Sequence, residues 1–231
     1  MSSAAELTSI QAGAAAGAGH VLVVPLGSTE QHGPHLPLTT DTDIATALVQ
    51  GLSHARDDVV VASALPFGAS GEHEAFAGTL SIGEAALEQL LVELGRSAGR
   101  IFARVLFVSA HGGNARSVRQ AIGRLRAEGR DARAWSPDWR GDAHAGRSET
   151  SLMLHLAPER VQLELATAGN VRAVAELMPR MRLGGVAAVS KNGVLGDPAD
   201  ASAGEGAALL AEAIAELSDW VSRWPIMEAT G

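Results

Sequence analysis

The sequence contains no cysteine, and this absence restricts the chemistry that is open to the protein. Without thiols the chain has no disulfide bond, no thiolate ligand for a metal ion and no cysteine nucleophile. Any metal ion must therefore be bound by histidine and carboxylate side chains.

The chain also lacks an excess of positive charge. Lysine and arginine number 18 together against 26 aspartates and glutamates, so the formal net charge is −8. Binding to nucleic acids and to anionic membranes depends on clustered lysine and arginine, so we expect neither as a partner. The acidic balance is compatible with bound divalent cations.

Long hydrophobic runs are missing as well. The longest, such as residues 21–26, are too short to span a bilayer, and the N-terminus shows no basic segment followed by an apolar one. We therefore expect a cytoplasmic protein. With 231 residues, of which 46% are hydrophobic and 19% charged, residues 1–231 are expected to form a single globular domain.

Short apolar segments alternate with helical patterns along the chain. Residues 20–26, 58–62, 104–109 and 131–136 have the length and composition of buried strands. Apolar residues at helical spacing precede Gly99 and Gly129, and a last amphipathic helix is predicted over residues 205–223. This alternation predicts an α/β fold with a mostly parallel sheet covered by helices.

In such sheets ligands bind at the carboxyl ends of the strands, because the loops there face one crevice. The segments after the four predicted strands are residues 27–40, 66–79, 110–114 and 137–146. Five of the eight histidines lie in these segments: His32, His35, His73, His111 and His144. The sequence therefore predicts a functional site at this edge of the sheet.

The first of these segments, GSTEQHGPHLPLTTDTD over residues 27–43, contains three possible metal ligands. Glu30 and His32 point the same way if the stretch is extended, and Asp41 follows after a turn. Each residue also has a simpler explanation, because Asp41 could cap the next helix while Glu30 and His32 remain on the surface.

Two further segments contribute the same residue types. In SAHGGNARS, residues 109–117, His111 follows a strand, the glycines allow a tight turn and Asn114 is expected to cap the next helix. In DAHAGRSETSLML, residues 142–154, Glu149 begins a helix and His144 is a candidate acid or base. Alternatively, Glu149 only interacts with the helix dipole.

The combination of all three segments is harder to attribute to chance than any one of them. Imidazole and carboxylate ligands without sulfur suit zinc, manganese or iron. Glu72, His73 and Glu74 are expected to orient a substrate or to support the ligands, unless they form a solvated turn. Trp135 and Trp139 are candidate walls of a substrate pocket, or else core packing.

Taken together, GSTEQHGPHLPLTTD, GASGEHEAFAGTLS, SAHGGN and HAGRSETSLML resemble the creatininase family of metal-dependent amidohydrolases over about residues 20–220. The resemblance implies a three-layer α/β subunit, two divalent metal ions per subunit and a ring-like homo-oligomer, a hexamer or an octamer. It also implies catalysis by His144 and a set of metal ligands, with Asp41 bridging the two ions: Glu30, His32, Asp41 and His111.

One position departs from the family pattern. Creatinine-hydrolysing members have a glutamate two residues after the equivalent of His111, where this chain has Gly113. The departure argues against creatinine as the substrate and suggests that Glu149 supplies the missing carboxylate, as a ligand with a part in catalysis.

The stretch WSPDWRGDAHAGRSETSLML, residues 135–154, is similar to the subgroup that accompanies mycofactocin biosynthesis. That resemblance implies a peptidase that removes the modified C-terminal Val-Tyr end from a ribosomally made precursor peptide. A creatinine or formamide amidohydrolase remains an alternative, as does a non-catalytic metal-binding scaffold. A nucleotide-binding regulator is disfavoured because no glycine-rich phosphate loop is present.

Overall fold

The structure is a computed structural model that describes residues 2–139, 141 and 143–224. Its centre is a parallel five-stranded sheet in the order β1-β3-β2-β4-β5. The strands are β1 (Ser2–Ser3), β2 (Val21–Leu26), β3 (Val59–Val61), β4 (Arg104–Ser109) and β5 (Asp131–Trp135). The four predicted strands are present with ends shifted by at most one residue, whereas the short edge strand β1 was not predicted.

The described residues contain seven α-helices. They are α1 (Ser9–Gly17), α2 (Thr40–Ala55), α3 (Glu84–Ala98), α4 (Ala115–Ala127), α5 (Arg147–Leu156), α6 (Val174–Gly184) and α7 (Ala203–Ser222). Short 3-10 turns lie between several of them, including Gly71–His73 and Gly112–Asn114. The predicted α/β class is confirmed.

Alternating side chains of the two central strands pack on opposite faces of the sheet, because successive strand residues point to opposite sides. On one face Leu106 belongs to a core with residues of α2, α5 and α7. On the other face Phe107 belongs to a core with residues of α3 and α4. Strands β2 and β4 are therefore buried along their whole length, and the molecule has three layers.

Two helix starts differ from the prediction. Helix α2 begins at Thr40, so Asp41 lies in its first turn and does not cap it. Asn114 stands at the start of α4, but its side chain makes no capping bond. Instead it accepts a hydrogen bond from the Ala69 N–H at 2.9 Å and donates one to the Gly27 carbonyl at 3.0 Å. The predicted cap is thus wrong, because Asn114 joins two loops.

Within the described ranges, every helix is too short or too polar to cross a lipid bilayer.

Candidate metal centre

The candidate ligands come from four places along the chain and meet at one edge of the sheet. Glu30 and His32 follow β2, Asp41 lies in the first turn of α2, His111 follows β4 and Glu149 lies in the first turn of α5. All five are buried, with between 0 and 9% of each residue exposed. The carboxyl ends of the parallel strands explain this convergence.

Asp41 lies between two histidines. Its Oδ1 is 3.3 Å from Nε2 of His32, and its Oδ2 is 3.3 Å from Nδ1 of His111. The Ser28 hydroxyl donates a hydrogen bond of 2.6 Å to Oδ2 and fixes the carboxylate. One oxygen thus faces each imidazole, which is compatible with a carboxylate shared by two cations.

The two carboxylate oxygens of Glu30 are buried beside histidine rings. Its Oε2 is 3.1 Å from Nε2 of His111 and its Oε1 is 3.4 Å from Nε2 of His73. Even so, neither oxygen forms a hydrogen bond of normal geometry with the part of the chain that the structure describes. A buried carboxylate without hydrogen bonds is costly, so the Glu30 oxygens fit a bound cation.

Three groups of side chains in this cluster have the composition and spacing of a metal site. They are Glu30, Asp41 and His111; His32, His144 and Glu149; and Glu30, His73 and His144. Within each group the ligand atoms lie within 4.8 Å of one another. Histidine and carboxylate donors of this kind suit zinc, manganese and iron.

The orientation of two side chains is fixed by the backbone. Nδ1 of His32 is 3.2 Å from the Glu30 carbonyl oxygen, so Nδ1 donates and Nε2 turns towards Asp41. Oε2 of Glu149 accepts a 2.5 Å hydrogen bond from the N–H of Ala145 and lies 3.9 Å from Nε2 of His32. Ala145 is buried and has a φ of 52°, a strained conformation of the kind found at functional sites.

The close packing of these groups shifts their pKa values in opposite directions. Burial opposes the ionisation of Glu30 and Asp41, but the neighbouring histidines outweigh it and lower the pKa of Glu30 to about 2 and that of Asp41 well below its usual range. Burial also disfavours charged imidazoles, yet Asp41 raises the pKa of His32 to about 10. Glu30 and Asp41 likewise raise the pKa of His111.

Glu149 and His144 carry less charge near pH 7 than these groups. Burial raises the pKa of Glu149 to about 7, against the attraction of His32. Burial also lowers the pKa of His144 well below its usual range, with further lowering by His32 and His73. His144 is therefore an uncharged imidazole beside a charged cluster.

Gln31 organises the cluster, and the sequence analysis did not identify it. Its side-chain nitrogen is 2.8 Å from Nδ1 of His73, and it donates to the Gly193 carbonyl at 3.1 Å. The backbone carbonyl oxygen of Gln31 is 2.8 Å from Nε2 of His144, and the Gln31 side-chain nitrogen is 3.1 Å from it. Because the carbonyl can only accept and the two hydrogens of the side-chain nitrogen are directed at His73 and Gly193, Nε2 is assigned the proton and Nδ1, 3.7 Å from Glu30 Oε1, is left unprotonated. Gln31 lies between Glu30 and His32 in the sequence and is buried. No local sequence pattern indicated this burial.

Gly113 leaves space that another loop fills. A Cβ atom at this position would lie 2.4 Å from Oε1 of Glu72, 2.4 Å from Nε2 of His111 and 2.5 Å from the Ala69 carbonyl. The half-buried Glu72 carboxylate is 3.8 Å from Nε2 of His111. The loop before α3 therefore reaches the candidate metal centre, as expected for Glu72 and His73, whereas Glu74 is exposed.

A cavity of 960 Å³ opens beside the cluster, and Glu72, His73, His111 and His144 line it. Trp135 lines a second cavity of 540 Å³, which adjoins the first at Ala115 and Arg119. Trp139 packs against the core of α2, α5 and α7 and lines neither of these cavities. Trp135 therefore lines a cavity that adjoins the one beside the cluster, and the part of either tryptophan in substrate binding stays a prediction.

The geometry defines a three-layer α/β protein with a buried cluster of histidine and carboxylate side chains suited to divalent cations. The sequence profile of the creatininase family, described as creatinine amidohydrolase, matches residues 5–221. The chain therefore belongs to the creatininase family.

Named relatives indicate which members of that family this chain resembles. The "Mycofactocin precursor peptide peptidase" of Mycolicibacterium smegmatis is 53% identical over 213 residues, covering 88% of this chain and 85% of that protein. The protein of the same name in Mycobacterium tuberculosis is 52% identical over 214 residues, with the same coverage.

Solved structures of creatinine amidohydrolase share the fold. A crystal structure of creatininase has a TM-score of 0.81 at 25% identity and covers 96% of both chains. A second structure, described as a manganese creatininase, has a TM-score of 0.81 at 25% identity and covers 96% of this chain and 98% of that one.

Proposed function

We propose that the protein is a metal-dependent peptidase that cleaves the modified Val-Tyr end from the mycofactocin precursor peptide. The observation that carries this proposal is the buried cluster around Asp41, which presents one carboxylate oxygen to each of two histidines. The substrate follows from the relatives of that name, which are 53% and 52% identical across 88% of the chain.

Two divalent cations, of zinc, iron or manganese, are proposed for this cluster. Glu30, Asp41 and His111 would hold one cation. His32, Asp41 and Glu149 would hold the other, since the His32 imidazole faces both carboxylates at 3.3 and 3.9 Å. When bound, such cations lower the pKa of water and polarise an amide carbonyl.

His144 is the proposed group for proton transfer. Its Nε2 is occupied by the Gln31 carbonyl, while its unprotonated Nδ1 points into the cluster and its ring lines the large cavity. Nδ1 would accept a proton during attack on the amide and donate it to the departing nitrogen, which is a poor leaving group without it.

Smaller amide substrates, such as creatinine or a formamide, are the first alternative. The fold shared with creatininase favours them, whereas Gly113 and a cavity of 960 Å³ favour a larger substrate. A non-catalytic metal-binding scaffold is the second alternative, and it predicts tight metal binding without any effect of changing His144.

The experiment that separates these functions is mass spectrometry of reaction products. The protein is loaded in turn with zinc, manganese or iron and given creatinine, a formamide or a modified peptide ending in Val-Tyr. We expect the released end and the shortened peptide. Creatine or formate as the product supports the small-amide function, and intact substrates throughout support the scaffold.

Glu149→Ala tests the second cation. If Glu149 is a ligand, bound metal falls from two ions towards one per subunit and cleavage is abolished, as elemental analysis and the peptide assay would show. If it serves only the helix dipole, the loss is about 1 kcal/mol of stability. Glu159→Ala, an exposed change just after α5, is the matched control.

The ring-like homo-oligomer and the cytoplasmic location are still predictions. Light scattering on the purified protein measures the first, and fractionation of cells measures the second.

A further inference from the structure

The candidate metal centre contains one more group of ligand-type side chains than the two proposed cations use. Glu30, His73 and His144 have ligand atoms within 4.8 Å of one another, and all three residues are buried. Oε1 of Glu30 is 3.4 Å from Nε2 of His73 and 3.7 Å from Nδ1 of His144. By residue type and distance, this third group is as suitable for a cation as the other two.

The protons on the two imidazoles decide whether the third group can hold a cation. A metal ion binds an imidazole only through a nitrogen that carries no proton. In a neutral histidine one ring nitrogen is protonated and the other is not, and the hydrogen bond at one nitrogen fixes the state of the other. The contacts of the two ring nitrogens that face away from Glu30 therefore determine the state of the two that face it.

Gln31 determines which nitrogen of His73 carries the proton. The backbone holds its amide in one orientation, because Oε1 accepts from the Gly33 N–H at 2.9 Å and Nε2 donates to the Gly193 carbonyl at 3.1 Å. This Nε2 is also 2.8 Å from Nδ1 of His73. Since an amide nitrogen only donates, Nδ1 of His73 accepts, and the proton of the ring lies on Nε2, the nitrogen that faces Glu30.

His144 presents the opposite kind of nitrogen to Glu30. Its Nε2 donates to the backbone carbonyl of Gln31 at 2.8 Å, so its Nδ1, on the Glu30 side, carries no proton. The third group therefore offers a cation one imidazole lone pair and one N–H group. Binding of a cation here would require the His73 proton to move to Nδ1, where it would meet the N–H of Gln31.

We propose that Gln31 is a positioning residue that keeps the third group free of metal. Its side chain holds the His73 proton on the nitrogen that faces Glu30, so that cations bind only elsewhere in the cluster and Nδ1 of His144 stays available for proton transfer. The inference rests on the proposed function and deepens it, since it assigns the device that keeps the proposed base from becoming a ligand.

His144 is the residue that loses its role if this arrangement fails. In the proposed function Asp41 completes the site of His32 and Glu149, so the third group is where a cation would take the lone pair of His144. A base that is bound to a metal ion accepts no proton. The rings of His73 and His144 lie 4.3 Å apart between centroids, and both line the large cavity.

Nitrogen NMR of the protein with isotope-labelled histidine tests the inference, because protonated, unprotonated and zinc-bound ring nitrogens have different chemical shifts. The signals are assigned by their loss in His73→Asn and His144→Asn. In the zinc-loaded wild-type protein we expect both residues to carry their proton on Nε2. A proton on Nδ1 of His73, or zinc on its Nε2, would overturn the inference.

Gln31→Met removes the amide and keeps the length of the side chain. In this variant we expect the His73 proton on Nδ1 and zinc on its Nε2. The kcat for the peptide should fall by about 100-fold with little change in KM, because zinc occupies the lone pair of His144. The His144 proton should stay on Nε2, since its acceptor is a backbone carbonyl that the variant retains. An unchanged kcat with zinc on His73 would contradict the protection of the base.

A second variant reads the His73 proton without any metal. Gln31→Glu replaces the donating amide nitrogen by an accepting oxygen, so the proton of His73 should move to Nδ1 in the metal-free protein. Gln89→Met is the matched control, since Gln89 is exposed on α3 and donates to Glu93 at 2.9 Å. The control should keep the wild-type spectrum and kcat.

Failure of this inference differs from failure of the proposed function. A His73 proton that stays on Nε2 in both Gln31 variants would overturn the inference and leave the peptidase function intact. If the protein cleaves no peptide, the spectra still report the proton positions with zinc alone and without metal. The expected tautomers would then support the role of Gln31 at a metal site that serves another function.

Discussion

The interior of the sheet and its carboxyl edge are equally buried, but they are built from opposite residue types. Along β2 and β4 the chain is almost wholly apolar, and both faces pack against helices. Within six residues of the ends of these strands it places Glu30, His32 and His111 in comparable burial. The difference separates an apolar region that stabilises the fold from a polar region for which we propose metal binding.

The two regions contribute to folding in different ways. Burial of apolar side chains stabilises the folded state, whereas burial of charges costs free energy unless they are paired. Pairing at the edge is incomplete, because hydrogen bonds of normal geometry reach neither oxygen of Glu30 from the described residues. We infer that the apolar interior offsets the cost of a site that only a bound cation completes.

Asp41→Asn should have the largest effect of these changes. The effect should be confined to metal binding and activity at the carboxyl edge of the sheet. The amide keeps the shape of the side chain but cannot be shared by two cations, so bound metal should fall from two ions towards none. Activity should fall by more than about 100-fold. Elemental analysis and the peptide assay measure both effects. Asp43→Asn, two residues later and paired with Arg160 at 2.8 Å, is the control. Two retained ions in Asp41→Asn would contradict the bridging role.

Phe107→Ala tests the interior of the sheet, where we expect a loss of stability without a loss of metal binding. Phe107 is completely buried between the sheet and the helices α3 and α4, and its removal leaves a cavity that costs about 3–5 kcal/mol of stability. Denaturant unfolding of the metal-free protein measures the loss, and the folded fraction should still bind metal. Phe67→Ala, at an exposed position, should change the stability by less than about 0.5 kcal/mol. A loss of metal binding by folded Phe107→Ala would erase the distinction between the two regions.

Gly113→Ala should have an intermediate effect at the edge. The new methyl group would meet the Glu72 carboxylate, the His111 imidazole and the Ala69 carbonyl, each within 2.5 Å. Displacement of His111 should weaken binding of one cation by roughly 10- to 100-fold, the range found for changes that disturb ligand orientation. A competition titration with a metal chelator measures this loss.

The neighbouring glycine supplies the control for that variant. A Cβ atom at Gly112 meets nothing within 4 Å, so Gly112→Ala should bind metal like the wild-type protein. Equal affinities in the two alanine variants would mean that the space at Gly113 plays no part in the site.

The sequence predicted the interior better than the edge, for a physical reason. Strand β4 has the same bounds in the sequence analysis and the structure, since an apolar run between polar segments is a local signal. The helix α6 and the strand β1 were missed. Strand β1 has only two residues, and the pattern of α6 includes Pro179 and a face that lines a cavity. Strand β1 is too short for a periodic pattern, and in α6 the internal Pro179 obscured the helical spacing of Val174, Leu177, Met178 and Met181.

At the edge, residue types were predictable and contacts were not. Glu30, His32, Asp41, His111 and Glu149 share one cluster, as expected from their positions after strands, although their metal roles stay predictions. The histidine contacts of Gln31 and the ends of the Asn114 hydrogen bonds depend on loops 42 to 113 residues apart along the chain. Such partners are invisible in a local pattern.

The smallest predicted effect is the release of protons when metal binds, which we expect from the edge of the sheet and not from its interior. Without metal, His32 has a pKa of about 10 and the pKa of His111 is also raised, so both imidazoles carry a proton near pH 7. A cation binds only the unprotonated imidazole and the ionised carboxylate, so its binding near pH 7 should release one proton from each histidine and a further fraction of a proton from Glu149, whose pKa is about 7. The affinity should fall as the pH is lowered. Calorimetric titrations in two buffers of different ionisation enthalpy measure the release. Phe107→Ala should release the same number as the wild-type protein, because the interior contributes no titrating group there, and heats that do not depend on the buffer would show that the histidines are not ligands.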